Sequence, residues 1–538
     1  VSTAAVPRPV RVARASLSHH HAPWVVAGLL ALVYVLWQPA AGDLPAQTYR
    51  TWLFEHEGPS LFDTAWYGGH HLPGYSLLFP PLASLLGVQL VGGLSAVASA
   101  WLFARIAEET LDDDVWLGSL WFGVASASTL LAGRLTFALG IAFALGAVLL
   151  AVRRRPAWAT AAAVGTAVAS PVAALFLAMV LGAWWLVQRD RRDLLLVAVV
   201  GAAPVMAINL FFPEGGGQPM ETGTFLRTLG TTVAIALLLP RERRVLRAVT
   251  WVYALAILAS FVIVSPMGSN VTRLGTLFAG PVLACALLPH RRVLLAVLAL
   301  PLVQWQWQAP VLDWHRAHDD PLVQARAYEP VLRFLDRQRS LEGPFRVEVP
   351  FTQNHVEADL VARRHPLARG WQRQLDTKWN GLFYEDGELE PAEYRRWLDE
   401  NAVRYVALPE GRLDQTAKAE RRLLQHGDVP GLRKVLDEGR WTVWRVEGPT
   451  ATALATGAGA RVTVLDHDRV ELDAPAAGDV LVRVRFTPYW RVRTGDACVS
   501  RDAGDQQWTR VRVRRPGPVT LVTTFSPGRV GATGERCP

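Results

Sequence analysis

Up to about residue 310 the chain is a series of long apolar runs broken by short arginine-rich segments. Beyond it no run approaches the roughly 20 apolar residues that a bilayer crossing needs. In lipid every backbone polar group must be paired internally, so such runs are committed to helices. A polytopic α-helical membrane domain over 1–310 is expected, followed by a soluble half. The runs lie near 24–37, 88–107, 115–132, 135–152, 157–169, 171–187, 194–212, 226–240, 248–264, 275–289 and 293–308. The first follows Arg8, Arg11 and Arg14 and precedes "PAAG", as a signal peptide would. With so many runs after it, it reads as an uncleaved first helix. Ser170-Pro171 fits either one kinked helix or a hairpin of two short spans. The hairpin keeps the basic loops on one side and gives about eleven crossings.

The arginines orient these runs. "RRR" (153–155), "RDRR" (189–192), "RERRVLR" (241–247) and "HRR" (290–292) fall on one side, and Arg50, Arg134, Arg227 and Arg273 on the other. By the positive-inside rule the first set is cytoplasmic, the N-terminus with it, and the C-terminal half extracytoplasmic in a multi-pass plasma-membrane protein. Topology thus accounts for the net charge of +8, with no need of a nucleic-acid partner. Three lysines (Lys378, Lys418, Lys434) against many arginines, with abundant Ala, Gly and Pro, suggest a GC-rich, actinobacterial source.

The soluble half divides at about residue 448. Over 311–448 helical and strand patterns alternate, with strands at 345–349, 403–408 and 441–447 and a helix opening at Pro391, a small α/β domain. Over 449–538 the period becomes two between Gly, Pro and Asp turns, a β-sandwich. There Val480, Val482, Val484 and Phe486 share one face, Arg483 and Arg485 the other. Cys498 and Cys537, the only cysteines of the soluble half, are expected to pair if it is extracytoplasmic; Cys285 sits in an apolar run.

The segment 41–75 joins the first two runs and is too long for a hairpin. It holds Asp43, Arg50, Glu55, His56, Glu57 and Asp63, then "WYGGHHLPGYSLLFPPL". Loops of such length are usually functional. Trp66, Tyr67 and Tyr75 offer flat faces suited to sugar rings or headgroups, although such residues also mark membrane interfaces. His70 and His71, adjacent in extended chain, diverge, so at most one joins a shared site. Glu221 and Glu214 lie in a second glycine-rich loop, "PEGGGQPMETGTF". Trp66, Tyr67, His70, His71, Glu57 and Glu221 are the candidate substrate-binding residues.

The chain resembles the GT-C superfamily of polytopic glycosyltransferases: a first span, an acidic residue opening the first outer loop, further spans and a C-terminal extracytoplasmic domain. "GDLPAQTYRTWLFEHEG…WYGGHHLPGYSLLFPPL" looks like the first loop of YfhO-type and related actinobacterial membrane proteins, and "AVRYVALP" and "VLVRVRFTPYWRV" like parts of their soluble domains. The resemblance implies a polyprenyl-phosphate sugar as donor, a cell-envelope glycan or glycolipid as acceptor, and Asp43 as catalytic base. Many members carry paired acidic residues there; here Leu44 and Pro45 follow Asp43, and no metal is assigned. A departing phosphate needs fixed positive charge. Arg134, in the turn "LLAGRLTF", and Arg273, opening a later run, are the candidate donor-phosphate ligands, with snorkelling to lipid phosphates the alternative for each. For Asp43 and a phosphate-binding arginine flanking one anomeric carbon, a separation of about 6–12 Å is expected. Two other classes compete: a lipid or glycan flippase or transporter, and a non-catalytic envelope-assembly protein. Ion-coupled transport is disfavoured because the cores of the runs carry essentially no charge.

Overall fold

A computed structural model describes residues 16–111, 115–288, 291–385, 388–448 and 453–525. Its first part is built from α1 (Ser16–Trp37), α2 (Leu44–Glu57), α3 (Phe79–Leu86), α4 (Val88–Thr110), α5 (Trp116–Leu131), α6 (Leu135–Val152), α7 (Pro156–Ala169), α8 (Pro171–Val187), α9 (Arg192–Phe211), α10 (Thr222–Leu238), α11 (Arg244–Val262), α12 (Thr272–Leu287) and α13 (Arg292–Ala317). Five segments are long and apolar enough to cross a membrane: α4, α6, α9, α11 and Gly268–Leu287, which contains α12. By length and composition these five are supported as crossings among the described residues, and the expected eleven are not. For several of the others the physical reason is length. α5, α8 and α10 are apolar but shorter than 18 residues. The 14-residue α7 rises only about 21 Å against a hydrocarbon core of about 30 Å. Apolar side chains cover the outside of α9 and α11, including Val199, Met206, Leu255 and Val262, as expected of surfaces facing lipid.

Ser170 separates α7 from α8. Its backbone is extended (φ −157°, ψ 111°), its hydroxyl accepts from the Ala173 N–H, and Pro171 opens the next helix. Small residues let helices approach closely. A Cβ added at Gly123 would stand 2.3 Å from the Pro23 carbonyl oxygen of α1. One added at Gly140 would meet the Ser170 Cβ at 2.6 Å.

The turns at 153–155, 189–192 and 241–244 lie together at one end of the bundle. The C-terminal domains meet the other end, where Tyr489 donates to the Phe211 carbonyl and Thr377 to that of Gly217. The segment after α1 does not loop freely. α2, the two-stranded pair β1 (Phe62–Asp63) and β2 (His70–His71), and the residues between them form a wedge under the soluble half. Tyr49, Leu53, Trp66 and Tyr67 share one hydrophobic core with Val347, Tyr405 and Trp441 of the α/β domain. Phe62 packs instead into the sandwich core, edge-on to Trp490.

In the α/β domain, β3 (Arg346–Glu348), β4 (Val403–Pro409), β5 (Leu432–Glu438) and β6 (Trp441–Val446) form a sheet ordered β3-β4-β6-β5. β3 and β4 are parallel and the other pairs antiparallel. β5, absent from the sequence expectation, reads "LRKVLDE", and its exposed edge carries charge where a core strand would carry apolar residues. α13 runs to Ala317, past the expected boundary at 310 and through Pro301 and Pro310.

The sandwich pairs β7 (Ala455–Thr456), β10 (Gly478–Arg485), β12 (Ala497–Arg501) and β13 (Trp508–Val513) against β8 (Arg461–Leu465), β9 (Arg469–Ala474), β11 (Trp490–Thr494) and β14 (Gly517–Thr523). Val480, Val482 and Val484 fill its core. Arg485, on the opposite face, is buried against the rest of the protein, its guanidinium 3.6 Å from the Trp379 ring centroid. Cys285 is free and buried. Cys498 lies in β12, and Cys537, its expected partner, falls outside the described residues.

Candidate functional site

Asp43 occupies the turn that opens α2, where the Leu44 N–H donates to the Ala41 carbonyl. It holds the N-cap position, yet its carboxylate makes no capping bond. It points across to the bundle, where Oδ2 lies 3.6 Å from Arg134 Nε and 3.5 Å from Arg273 Nη2. The three side chains retain 34%, 27% and 21% of their exposure, so the cluster borders solvent without projecting into it.

Local structure fixes the three groups. Arg134 follows Gly133, whose φ of +66° makes the tight turn between α5 and α6. Gln47, one turn into α2, donates to the Gly133 carbonyl and accepts from the Leu135 and Thr136 N–H groups at 3.0 Å. One buried amide thus holds the Arg134 turn to the helix that Asp43 opens. Arg273 stands at the head of α12, its guanidinium 5.8 Å from the Phe137 ring centroid.

The expected gap of about 6–12 Å between Asp43 and the arginines is corrected: both guanidiniums converge on one carboxylate oxygen, which offsets their mutual repulsion. At 3.5–3.6 Å the pairs are looser than charge-assisted hydrogen bonds of about 2.7–2.9 Å. Partly exposed pairs of this kind are each worth about 1 kcal/mol or less, so a competing anion can part them.

Tyr75 and Arg50 form the adjoining wall. Burial pushes the Tyr75 phenol above its ordinary pKa, while its surroundings include Arg50, Asp43 and Arg273. Arg50 lies over the Tyr75 and Trp66 rings at 4.1 and 4.8 Å and donates to Gln372 Oε1 of the α/β domain. That domain roofs the site. His355 lies against Gly42, within about 4 Å of where a Cβ would stand. Burial pushes its pKa down to about 3, so it is neutral at physiological pH.

Below Arg273 an apolar cavity of about 770 Å³ runs among α4, α6, α8, α11 and α12. Phe103, Ile141, Phe176, Tyr253 and Phe278 line it, and it extends from Leu274, next to Arg273, to Val187 and Arg243 at the basic end of the bundle.

The other expected site residues are placed differently. Trp66 and Tyr67 are fully buried, which corrects their assignment as substrate-binding surfaces. Trp66 donates to the Ala358 carbonyl, and the Tyr67 hydroxyl donates to the Gly370 and Gln372 carbonyls. They fasten the wedge to the domain above. His70 and His71 do diverge, and both are buried, so neither offers a substrate surface. His70 stacks on Trp66, and burial pushes its pKa down to about 4. His71 reaches the other way, with Nδ1 2.7 Å from Glu214 and Nε2 3.0 Å from Thr487 Oγ1. Burial acts to raise the Glu214 pKa, but the charge and hydrogen bond of His71 outweigh it and the carboxyl sits below its usual value. Glu57 and Glu221 are exposed, at the end of α2 and the start of α10, and neither joins Asp43.

Three contributors went unrecognised in the sequence: Gln47, His355 and Asp313. Gln47 and His355 carry no local signal, because each acts through a partner distant in sequence. Asp313 had one: Gln306, Pro310 and Asp313 fall at i, i+4 and i+7, one face of a helix that continues past the last apolar run. No protein-family model matches this chain, and no curated protein matches it either.

Proposed function

We propose that the chain is a membrane glycosyltransferase of GT-C type. It moves a sugar from a polyprenyl-phosphate donor to a cell-envelope glycan or glycolipid on the extracytoplasmic face. The observation that carries this reading is the convergence of Asp43, Arg134 and Arg273 on one point, with a long apolar cavity whose lining begins at Leu274, the residue after Arg273. A lipid-linked sugar phosphate asks for those elements together: an apolar channel for the tail, cations for the phosphate, and a base beside the anomeric carbon. The orientation is supported by the arginine-rich turns, which lie at the end of the bundle away from Asp43.

Donor phosphate entering between Arg134 and Arg273 takes over their charge and frees the Asp43 carboxylate. The acceptor hydroxyl oxygen then forms a bond to the anomeric carbon while the bond from that carbon to the phosphate oxygen breaks. The hydroxyl proton passes to Asp43, and the bonding pair leaves on the phosphate, where the two guanidiniums stabilise it. The Arg50 and Tyr75 wall and the His355 roof bound this region on the side of the α/β domain.

Lipid translocation is the second reading, favoured by the cavity's reach from Leu274 to Val187 and Arg243. One experiment separates the two. Envelope glycans and glycolipids are compared among a deletion strain, the strain complemented with the native chain, and one complemented with Asp43→Ala. A glycan lost on deletion and restored only by the native chain supports transfer. Full restoration by Asp43→Ala removes the base and leaves the translocation reading.

A further inference from the structure

Asp313 is the one acidic group on the face of α13 that turns toward the Asp43 cluster, and the mechanism above gives it no work. Its position follows from helix geometry. Gln306 donates to the Thr276 and Leu277 carbonyls of α12 and accepts from the Trp121 indole of α5, which fixes the height of α13 against both helices. α13 runs antiparallel to α12. Seven residues beyond Gln306, Asp313 stands about 10 Å further toward the domain end. On α12, Arg273 stands about 5 Å above Thr276 in the same direction. Asp313 therefore lies about one turn above Arg273, on the face of α13 that buries Gln306 and Pro310. Its side chain keeps only 18% of its exposure.

Charged groups face it from several elements. Asp43, from the turn before α2, and Arg134, from the turn between α5 and α6, are near enough to bias its proton in opposite directions. Arg273 lies below it, and Arg316, on its own helix, approaches to 3.8 Å. From the α/β domain, Arg412 donates to the His315 and Arg316 carbonyls and holds the helix end in place.

We propose that Asp313 is a positioning residue of the anion site: neutral, it donates its O–H toward a phosphate lodged between Arg134 and Arg273, and ionised, it repels that phosphate. Binding of donor then takes up a proton. This rests on the reading of the arginine pair as a phosphate site. Charge balance supports it. Asp43, Arg134 and Arg273 together carry one net positive charge, matching the single negative charge of a phosphodiester. An ionised Asp313 adds a negative charge beside them, offset only in part by Arg316, which is 3.8 Å away with its side chain 51% exposed. Burial, with the charge of Asp43 adding to it, pushes the Asp313 carboxyl up to about 6, so the change falls within the range an envelope experiences.

The test uses the full chain in phosphatidylcholine nanodiscs and farnesyl methyl phosphate, a diester whose one negative charge is constant from pH 5 to 8. If ionised Asp313 excluded the phosphate completely, the competent fraction at pH 8 would be about 1%, so a loss of up to about 100-fold sets the limit. The expected result is that native affinity falls at least about tenfold between pH 5 and 8, that Asp313→Asn stays flat, and that Asp313→Glu falls like the native chain. A flat native profile, or an Asp313→Asn profile as steep as the native one, overturns the proposal. Arg273→Gln is the control for the underlying reading: if it binds at pH 5 as tightly as the native chain, the phosphate site itself is wrong and Asp313 falls with it. Dimethyl phosphate distinguishes the source of the ligand. Weak competition assigns the site to lipid phosphates, equal competition to soluble ones, and in either case the Asp313 profile decides its role.

Discussion

Arg369 is the group whose removal should most damage the soluble half. It is 1% exposed and lies between the Phe351 and Phe383 rings, 3.9 and 4.0 Å from their centroids. Its Nε and Nη2 donate to the two oxygens of Asp376 at 3.1 and 2.7 Å, and Nη1 lies 3.7 Å from Glu420. Both carboxylates are fully buried, and Glu348 beside them, also buried, is held well above its usual pKa by burial and by the charge of Glu420. Arg369→Leu preserves much of the packing volume but leaves Asp376 and Glu420 without their cation. Asn380 and Tyr384 still donate to Asp376, and Tyr394 to Glu420, so hydrogen bonds survive while charge balance does not. Breaking a buried pair from one side costs about 3–5 kcal/mol. For a domain of this size that lowers the unfolding midpoint by about 10–20 °C. Tryptophan fluorescence of the full chain in detergent reads the change, with the double variant Arg369→Leu/Asp376→Asn as partner. The double variant should recover at least about 1 kcal/mol relative to the sum of the single changes. A midpoint for Arg369→Leu within about 3 °C of native would refute the reasoning.

Two further predictions concern pH. Glu357, buried beside Thr352, is pushed up to about 8 by burial. Its folded pKa exceeds its unfolded value of about 4.3, so its contribution is fully present below pH 4.3 and is lost as pH rises to about 8, by roughly 1.4 kcal/mol per unit. Glu357→Gln should flatten the pH dependence of unfolding across that interval, and an unchanged slope would contradict it. Asp63, fully buried, joins His467 of the β8–β9 turn at 2.9 Å and accepts from the Tyr49 hydroxyl at 3.0 Å, tying the wedge to the sandwich. Burial acts to lower His467 and to raise Asp63, but their mutual hydrogen bond and charge prevail, leaving His467 above and Asp63 below their usual values. The His467 contribution is full below about pH 6.5 and is lost as pH rises through its raised pKa; that of Asp63 is full above about 3.9 and is lost as pH falls. Hydrogen exchange of residues 58–72 should therefore be slowest, after correction for intrinsic rates, between about pH 4 and 6.5. His467→Ala should remove that minimum.

Sequence patterning exposed the broad architecture because its signals are local. Apolar runs, arginine breaks, Pro391 at a helix start and the alternation Val480-Val482-Val484 each act within a few residues. The break at Ser170-Pro171 was legible and is where α7 gives way to α8. The crossing count went too far because a run can be apolar and helical, as α5, α8 and α10 are, yet shorter than 18 residues. At the site, Asp43, Arg134 and Arg273 stood out because charge is scarce on that side of the bundle. Trp66 and Tyr67 misled for a physical reason: an amphipathic ring suited to a sugar is equally suited to a domain interface, where its polar edge meets a backbone carbonyl. His355 was hidden because its proximity to Asp43 is set by the roof domain; the helix face of Asp313 was legible, but not which neighbours the packing of α13 would bring to it.

The most direct test of the central claim is a cryo-EM structure of the full chain in nanodiscs with a polyprenyl phosphate bound. The account predicts phosphate density between Arg134 and Arg273, the lipid tail in the cavity lined by Ile141, Phe176 and Phe278, and Asp43 parted from both guanidiniums by about 6 Å or more. Phosphate bound elsewhere, with Asp43 still bridging the two arginines, would contradict it.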